Sequence, residues 1–251
     1  IRDSISTDKV KARQLDGGQR NVEGAPQTEI VMEKLNGWSG VRRPSRIVID
    51  GRYVRLEPLD AQKHDLELFE SAEQPGADDR FRYLFDDPPA DHAAFKRWLD
   101  KASSSDDPLF FAVIDKATGR AEGRQSLMRI DPVHGVIEVG NILWGPALAR
   151  TRAATEALFL FASFVFDELG YRRLEWKCDN ANLPSKRAAE RFGFAFEGLF
   201  RSHMVVKGQN RDTAWFSMTR EDWHRVKPAY EAWLAPDNFD GAGLQKIKLS
   251  L

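Results

Sequence analysis

Apolar residues change their spacing from one stretch of this chain to the next, and each change predicts an element. Tyr53-Val-Arg-Leu56 alternates and reads as a strand. Pro58-Leu-Asp60 then opens a helix to about Phe69, and a second helix over residues 91–102 follows the Pro88-Pro89 stop. Residues 110–114, 121–130 and 136–144 form three apolar runs separated by Lys116-Ala-Thr-Gly119 and Asp131-Pro-Val-His-Gly135. Turn chemistry of that kind joins antiparallel strands. Residues 153–169 are apolar on most faces, as in a helix packed on a sheet, and Gly170 ends them. A strand over 173–178 and a helix over 184–192 follow. A strand pair over 196–206 and 213–218, joined by Lys207-Gly-Gln-Asn210, leads to a helix over 220–234. The predicted fold class is mixed α/β (α+β): a central twisted mixed sheet of six to seven strands flanked by helices, with a crossover helix in the middle.

Residues 1–46 lack sustained periodicity and carry the breakers Asp16-Gly-Gly and Gly24-Ala-Pro. They read as a flexible N-terminal extension with a short ordered patch at 30–35. The domain is expected over 47–235, and 236–251 as a C-terminal tail. A length of 251 residues admits one ordinary domain plus such extensions. The net charge of −1 provides no general field for nucleic acid. No apolar run approaches the roughly 20 residues that span a bilayer, so no membrane partner is expected. One cysteine, Cys178, excludes an internal disulfide framework; with no secretory pattern at the start, a cytoplasmic location is expected. The His residues are scattered without metal-ligand spacing, so no metal is expected.

The candidate chemistry begins where the strand ending at Trp144 meets Pro146, a short Arg/Thr/Ala turn and a long helix. A helix N-terminus carries about half a positive charge and several unpaired N–H donors, which suits phosphate. Arg150 and Arg152 add cationic groups at the same place. A second strand runs into Asn182-Leu-Pro-Ser185 and another helix. Two neighbouring strands, each followed by a helix with a polar start, describe a cleft for a long phosphorylated thioester.

This layout resembles the GNAT superfamily of acetyl-CoA-dependent N-acetyltransferases, most closely the branch similar to ribosomal-protein-alanine acetyltransferases. The resemblance covers about residues 47–223. In that family a strand ending in Pro precedes a Gln/Arg-x-x-Gly-x-Gly/Ala loop that cradles the CoA pyrophosphate. Laying Pro146 on the family Pro puts Ala149, Arg150, Thr151, Arg152, Ala153 and Ala154 on those six positions. Ala149 replaces the usual Gln/Arg and Arg152 the first Gly. Helical dihedrals need no glycine, so the backbone donors are retained. A second family pattern falls on Asn182, Ser185, Ala189, Gly193 and Phe194, with Ala189 in place of the usual Tyr.

The resemblance implies that acetyl-CoA is the cosubstrate, bound by Ile142, Leu143, Trp144, Arg150, Thr151, Arg152, Ala153, Ala154, Thr155 and Asn182. An oxyanion donor is expected among the N–H groups of residues 142–144, where the family strand bulges. Arg187 either reaches the adenosine phosphate or solvates its helix. Glu138, on the strand before the loop, is the candidate base; its alternative is an ordinary solvent-facing strand Glu. Ser185 is the candidate proton donor to the departing thiolate, with water or a helix-capping role as alternatives. Cys178 reads as a core residue rather than an acyl-carrying nucleophile. Asp78, Asp79, Asp86 and Asp87 surround an apolar stretch expected at the acceptor mouth, where they would attract a cationic amine or simply be solvated. The expected reaction is N-acetylation of a small primary amine, such as a polyamine, amino acid or amine-bearing toxin, by direct attack in a ternary complex; its rivals are a protein N-terminal acceptor and a CoA-binding regulatory module without turnover. Monomer and homodimer remain open.

Overall fold

The seven strands expected from the pattern all form, and a two-residue strand, β1 (Ile49–Asp50), precedes them, which raises the count to eight. Next come β2 (Val54–Pro58), α1 (Asp65–Glu73), the short α2 (Ala77–Phe81) and α3 (His92–Ser104). The strands β3 (Leu109–Asp115), β4 (Ala121–Asp131) and β5 (Val136–Trp144) then lead to α4 (Arg152–Ser163). The chain closes with β6 (Arg173–Asp179), α5 (Leu183–Arg191), β7 (Ala195–Val206), β8 (Gln209–Thr219) and α6 (Arg220–Leu234). This computed structural model describes residues 34–251. The expected arm and its ordered patch lie outside the described residues as far as position 33.

Two boundaries moved for local reasons. The first regular helix starts at Asp65: Asp60 caps a separate turn before it, its carboxylate accepting from the N–H groups of Gln62 (2.8 Å) and Lys63 (2.9 Å) and its carbonyl from His64 N–H (3.0 Å). The crossover helix widens after Ser163 into a π-type turn, Phe164–Glu168, before Gly170 ends it at φ 82°.

The sheet order is β1-β2-β3-β4-β5-β6-β8-β7, and every neighbouring pair is antiparallel except β5 and β6. A parallel pair needs a crossover, and α4 supplies it. On β3, alternation divides the side chains between two cores. Phe111 and Val113 join the large cluster under α4 and α6; Phe110, Ala112 and Ile114 join a smaller one with Leu68, Phe95 and Leu99 of α1 and α3.

Residues Ser39–Leu251 form one compact unit. Residues 39–46, expected in the arm, are held on it: Val41 N–H donates to the Pro132 carbonyl (2.9 Å), and Arg46 to the Ser105 carbonyl (2.7 Å). The expected tail also folds back. Asn238 donates to the Trp233 (2.9 Å) and Ile247 (3.2 Å) carbonyls and accepts from Ile247 N–H, while Phe239 is buried edge-on against Trp233.

Candidate active site

The parallel pairing of β5 and β6 lasts only four residue pairs, from Val136 opposite Arg173 to Val139 opposite Trp176. Beyond them the strands part. On the other side of β5, Ser126 pairs with Gly140 and Arg124 with Leu143, so Gln125 faces both Asn141 and Ile142. That extra residue is a β-bulge, which bends a strand and leaves one residue outside the ladder. Asn141 takes the left-handed φ of 51° that such a kink demands, and Asn tolerates it better than most residues. Splay and bulge together open a gap between the strands.

Two cavities occupy the gap. One, of about 230 Å³, is lined by residues of β5, β6 and α5, by Met128 and Arg129 of β4, Arg211 of β8, and Tyr83, Leu84 and Phe85 after α2. The other, of about 410 Å³, lies at the start of α4 and is lined by Arg150, Thr151, Arg152, Thr155 and Arg191 together with Trp233, Phe239, Leu244 and Gln245. Trp144 and Ala188 line both, so the two cavities form one slot.

At the α4 end, Thr151 caps the helix by accepting from Ala154 N–H (3.3 Å), which leaves the N–H groups of Arg152 and Ala153 as the first-turn donors. Arg150, just before the cap, is held at φ 65°, a conformation that costs a non-glycine residue about 1–2 kcal/mol. Arg152 lies over the rings of Tyr53 (4.4 Å) and Phe239 (5.1 Å). Ala153 is buried in the core. The sequence did not single out Arg191, which donates to Thr155 Oγ1 (3.2 Å) and points into this cavity. Burial pulls its pKa below the usual arginine value. Arg187, one turn earlier on α5, is exposed and lines neither cavity; the spacing of the two residues was the available signal.

At the β5–β6 end, Asn182 caps α5 by accepting from Ser185 N–H (3.1 Å), so the capping role belongs to Asn182 and not to Ser185. The Ser185 hydroxyl accepts from Trp176 Nε1 (3.0 Å) and faces the cavity beside the Cys178 thiol. Burial pushes that thiol's pKa up, which keeps it protonated at neutral pH and unsuited to attack. Ala189 is fully buried, so no hydroxyl stands where the family usually has Tyr. Ile142 and Trp144 line the slot, whereas the Leu143 side chain packs with Ala72 and Phe81 and lines neither cavity.

Glu138 lines the cavity but does not face solvent: its side chain is only 3 % exposed. Arg129 Nη1 donates to Oε1 (2.8 Å) and Oε2 (2.7 Å), and Lys177 Nζ lies 2.9 Å from Oε2. Lys177 also pairs with Glu175 (2.7 Å), and Glu175 with Arg173 (2.8 Å). A carboxylate offers about four acceptor positions, so one on Glu138 Oε1 is left. Asp179, next along this face, accepts from Ala181 N–H through Oδ1 (2.8 Å), and its Oδ2 has no partner among the described residues.

The acidic loop points elsewhere. Asp86 pairs with buried Arg124, Asp87 with Lys207 (2.9 Å) and Asp79 with Arg82 (2.6 Å); with Asp78, none of them lines the cavity. Among the described residues no group of His, Cys, Asp and Glu could hold a metal, and no helix is long and apolar enough to cross a membrane.

Residues 54–195 match the family described as "Acetyltransferase (GNAT) domain". A crystal structure of a GCN5-related N-acetyltransferase from Brucella melitensis is 63 % identical, with a TM-score of 0.85 over 86 % of this chain and 97 % of that one. A "probable" GNAT-family acetyltransferase from Chromobacterium violaceum is 40 % identical, with a TM-score of 0.72 over 80 % of this chain and all of the other. Among curated proteins, "Uncharacterized N-acetyltransferase p20" from Bacillus licheniformis is 29 % identical over 45 % of this chain, and the match spans 63 % of that relative's length. With the crossover and the bulge lying inside the matched region 54–195, the chain belongs to the GNAT acetyltransferase family and is an N-acetyltransferase.

Proposed function

We propose that this enzyme moves an acetyl group from acetyl-CoA to the primary amine of a small molecule by direct attack in a ternary complex. The observation that carries this reading is the continuity of the two cavities at Trp144 and Ala188, which joins a helix N-terminus to a pocket with carboxylates. The pyrophosphate fits the start of α4, against the N–H groups of Arg152 and Ala153 and the side chains of Arg150 and Arg191. The pantetheine arm then follows the opened β5–β6 gap past Asn182. An N–H at the bulge would supply the donor for the developing oxyanion.

In the reaction the amine nitrogen bonds to the thioester carbonyl carbon, the C–S bond breaks, and CoA leaves as thiolate. An amine with a pKa of about 10 is mostly protonated at neutral pH, so a base must take its proton. We assign this to Glu138, which takes the proton through a water at the open position of Oε1 while Oε2 keeps its contacts with Arg129 and Lys177, and which then releases it to solvent. The Ser185 hydroxyl returns a proton to the thiolate, with water able to replace it. Asp179 is a second candidate base, favoured by its unpartnered Oδ2.

Thiol release from acetyl-CoA across small amines and N-terminal peptides tests the reading. Turnover with small amines is expected. Turnover with peptides alone would move the acceptor to a protein N-terminus, and CoA binding without release would make this a binding module. Turnover lost in Glu138→Gln but kept in Asp179→Asn supports the base assignment; the reverse transfers it to Asp179.

A further inference from the structure

The charges around the acceptor pocket are unevenly satisfied. Arg129 and Lys177 are paired with Glu138. Arg80 spends both terminal nitrogens on the backbone carbonyls of Pro75 (2.7 Å), Ala72 (3.0 Å) and Gln74 (2.6 Å). Arg211 differs from all three. It is 7 % exposed, sits 5.3 Å above the Phe85 ring, and spends only Nε, on Thr213 Oγ1 (3.2 Å). Nε makes its one hydrogen bond among the described residues, and the two terminal nitrogens are left to the open space of the pocket that Arg211 lines. Burial lowers its pKa, and Asp179, Cys178 and Glu138 act on it only from a distance.

A guanidinium held by its stem and by Nε alone presents a planar fork of donors to the pocket, and such a fork suits a carboxylate. The register supplies the complementary charge: Thr213 lies opposite Asp179, so alternation puts Arg211, Thr213 and Asp179 on one face of the sheet. Anion and cation receptors therefore line one pocket of about 230 Å³, a size at which one small molecule can meet both.

We propose that Arg211 binds a carboxylate on the acceptor, which makes the acceptor an amino-acid-like molecule with its amine directed to Asp179 and Glu138. This rests on the small-amine acetyltransferase reading. It excludes the polyamines that an acidic mouth would have selected.

Matched pairs test it on the full chain: amino acids against the amines left by their decarboxylation, read by thiol release from acetyl-CoA. At least one amino acid should exceed its decarboxylated partner in kcat/KM by tenfold or more. Arg211→Gln should raise KM for that amino acid tenfold or more and leave the acetyl-CoA dissociation constant and the decarboxylated amine's kcat/KM unchanged. Arg211→Lys should fall between, since it keeps the charge without the fork. Acetyl-CoA binding and thermal melting identify a variant that has failed to fold, and Arg211→Lys then carries the comparison. Equal use of both members of every pair overturns the Arg211 assignment and leaves the small-amine reading standing. A weakened acetyl-CoA affinity in folded Arg211→Gln reassigns the residue to the cosubstrate and overturns it too. No turnover of any small amine overturns both.

Discussion

The two ends of the slot are built by opposite means. The α4 end relies on backbone: a capped helix start, a strained Arg150 and small side chains, all within a dozen consecutive residues. The β5–β6 end relies on side chains from β4, β5, β6, α5 and β8, held by ion pairs that cross strands. On the proposed reading, backbone donors at the α4 start meet a group common to every CoA ester. Side chains drawn from separate strands can be exchanged one at a time, so the acceptor end is where specificity is set. Affinity for the cosubstrate and choice of acceptor should therefore separate under mutation.

The sharpest separation is expected from Glu138→Gln. With a confirmed acceptor, kcat at neutral pH should fall about 100-fold or more, within the usual range for loss of a general base. Acetyl-CoA affinity should hold, and the loss should shrink as pH rises and free amine becomes plentiful. A matching loss of acetyl-CoA affinity in calorimetry would mean that the two ends are one unit. The opposite pattern is expected at the other end. Arg150→Ala with Arg191→Ala should raise the acetyl-CoA dissociation constant about 30-fold, from two charge-assisted contacts. The kcat at saturating acetyl-CoA should barely change.

A smaller effect is expected from deleting residues 236–251, which strips Phe239, Leu244 and Gln245 from the α4-end cavity. Acetyl-CoA affinity should drop about tenfold and the melting temperature should fall, because Trp233 loses its ring and hydrogen-bond partners. Unaltered affinity in calorimetry would show that this wall does not touch the cosubstrate. Ser185→Ala should be mildest, about threefold in kcat, since water can replace the hydroxyl. A loss of two orders of magnitude in single-turnover thiol release would make Ser185 the sole proton source.

Much of this was legible in the residues. Alternation and turn chemistry located seven strands, and the stretch from Trp144 to Thr155 showed the helix start that we propose for phosphate, because capping, helix start and flanking cations are all local. The acceptor end was legible only in part. Glu138 was identifiable by its strand, but its partners Arg129 and Lys177 come from other strands through register and a bulge. The acidic loop was correctly seen as charged and incorrectly aimed, because Arg124 and Lys207, which hold Asp86 and Asp87, are distant in the chain. The sequence singled out neither Arg191 nor Arg211; only the packing of α5 and β8 places them in the cavity linings.

Local spacing alone thus determined the order of elements, the crossover and the capped helix start proposed to meet phosphate, since those depend on dihedral preferences and neighbours within a turn. Tertiary structure decided the splay of β5 from β6, the return of residues 236–251 over the slot, and which charges are paired. Those depend on contacts between segments far apart in sequence, where a single-residue shift in register would send every side chain to the opposite face.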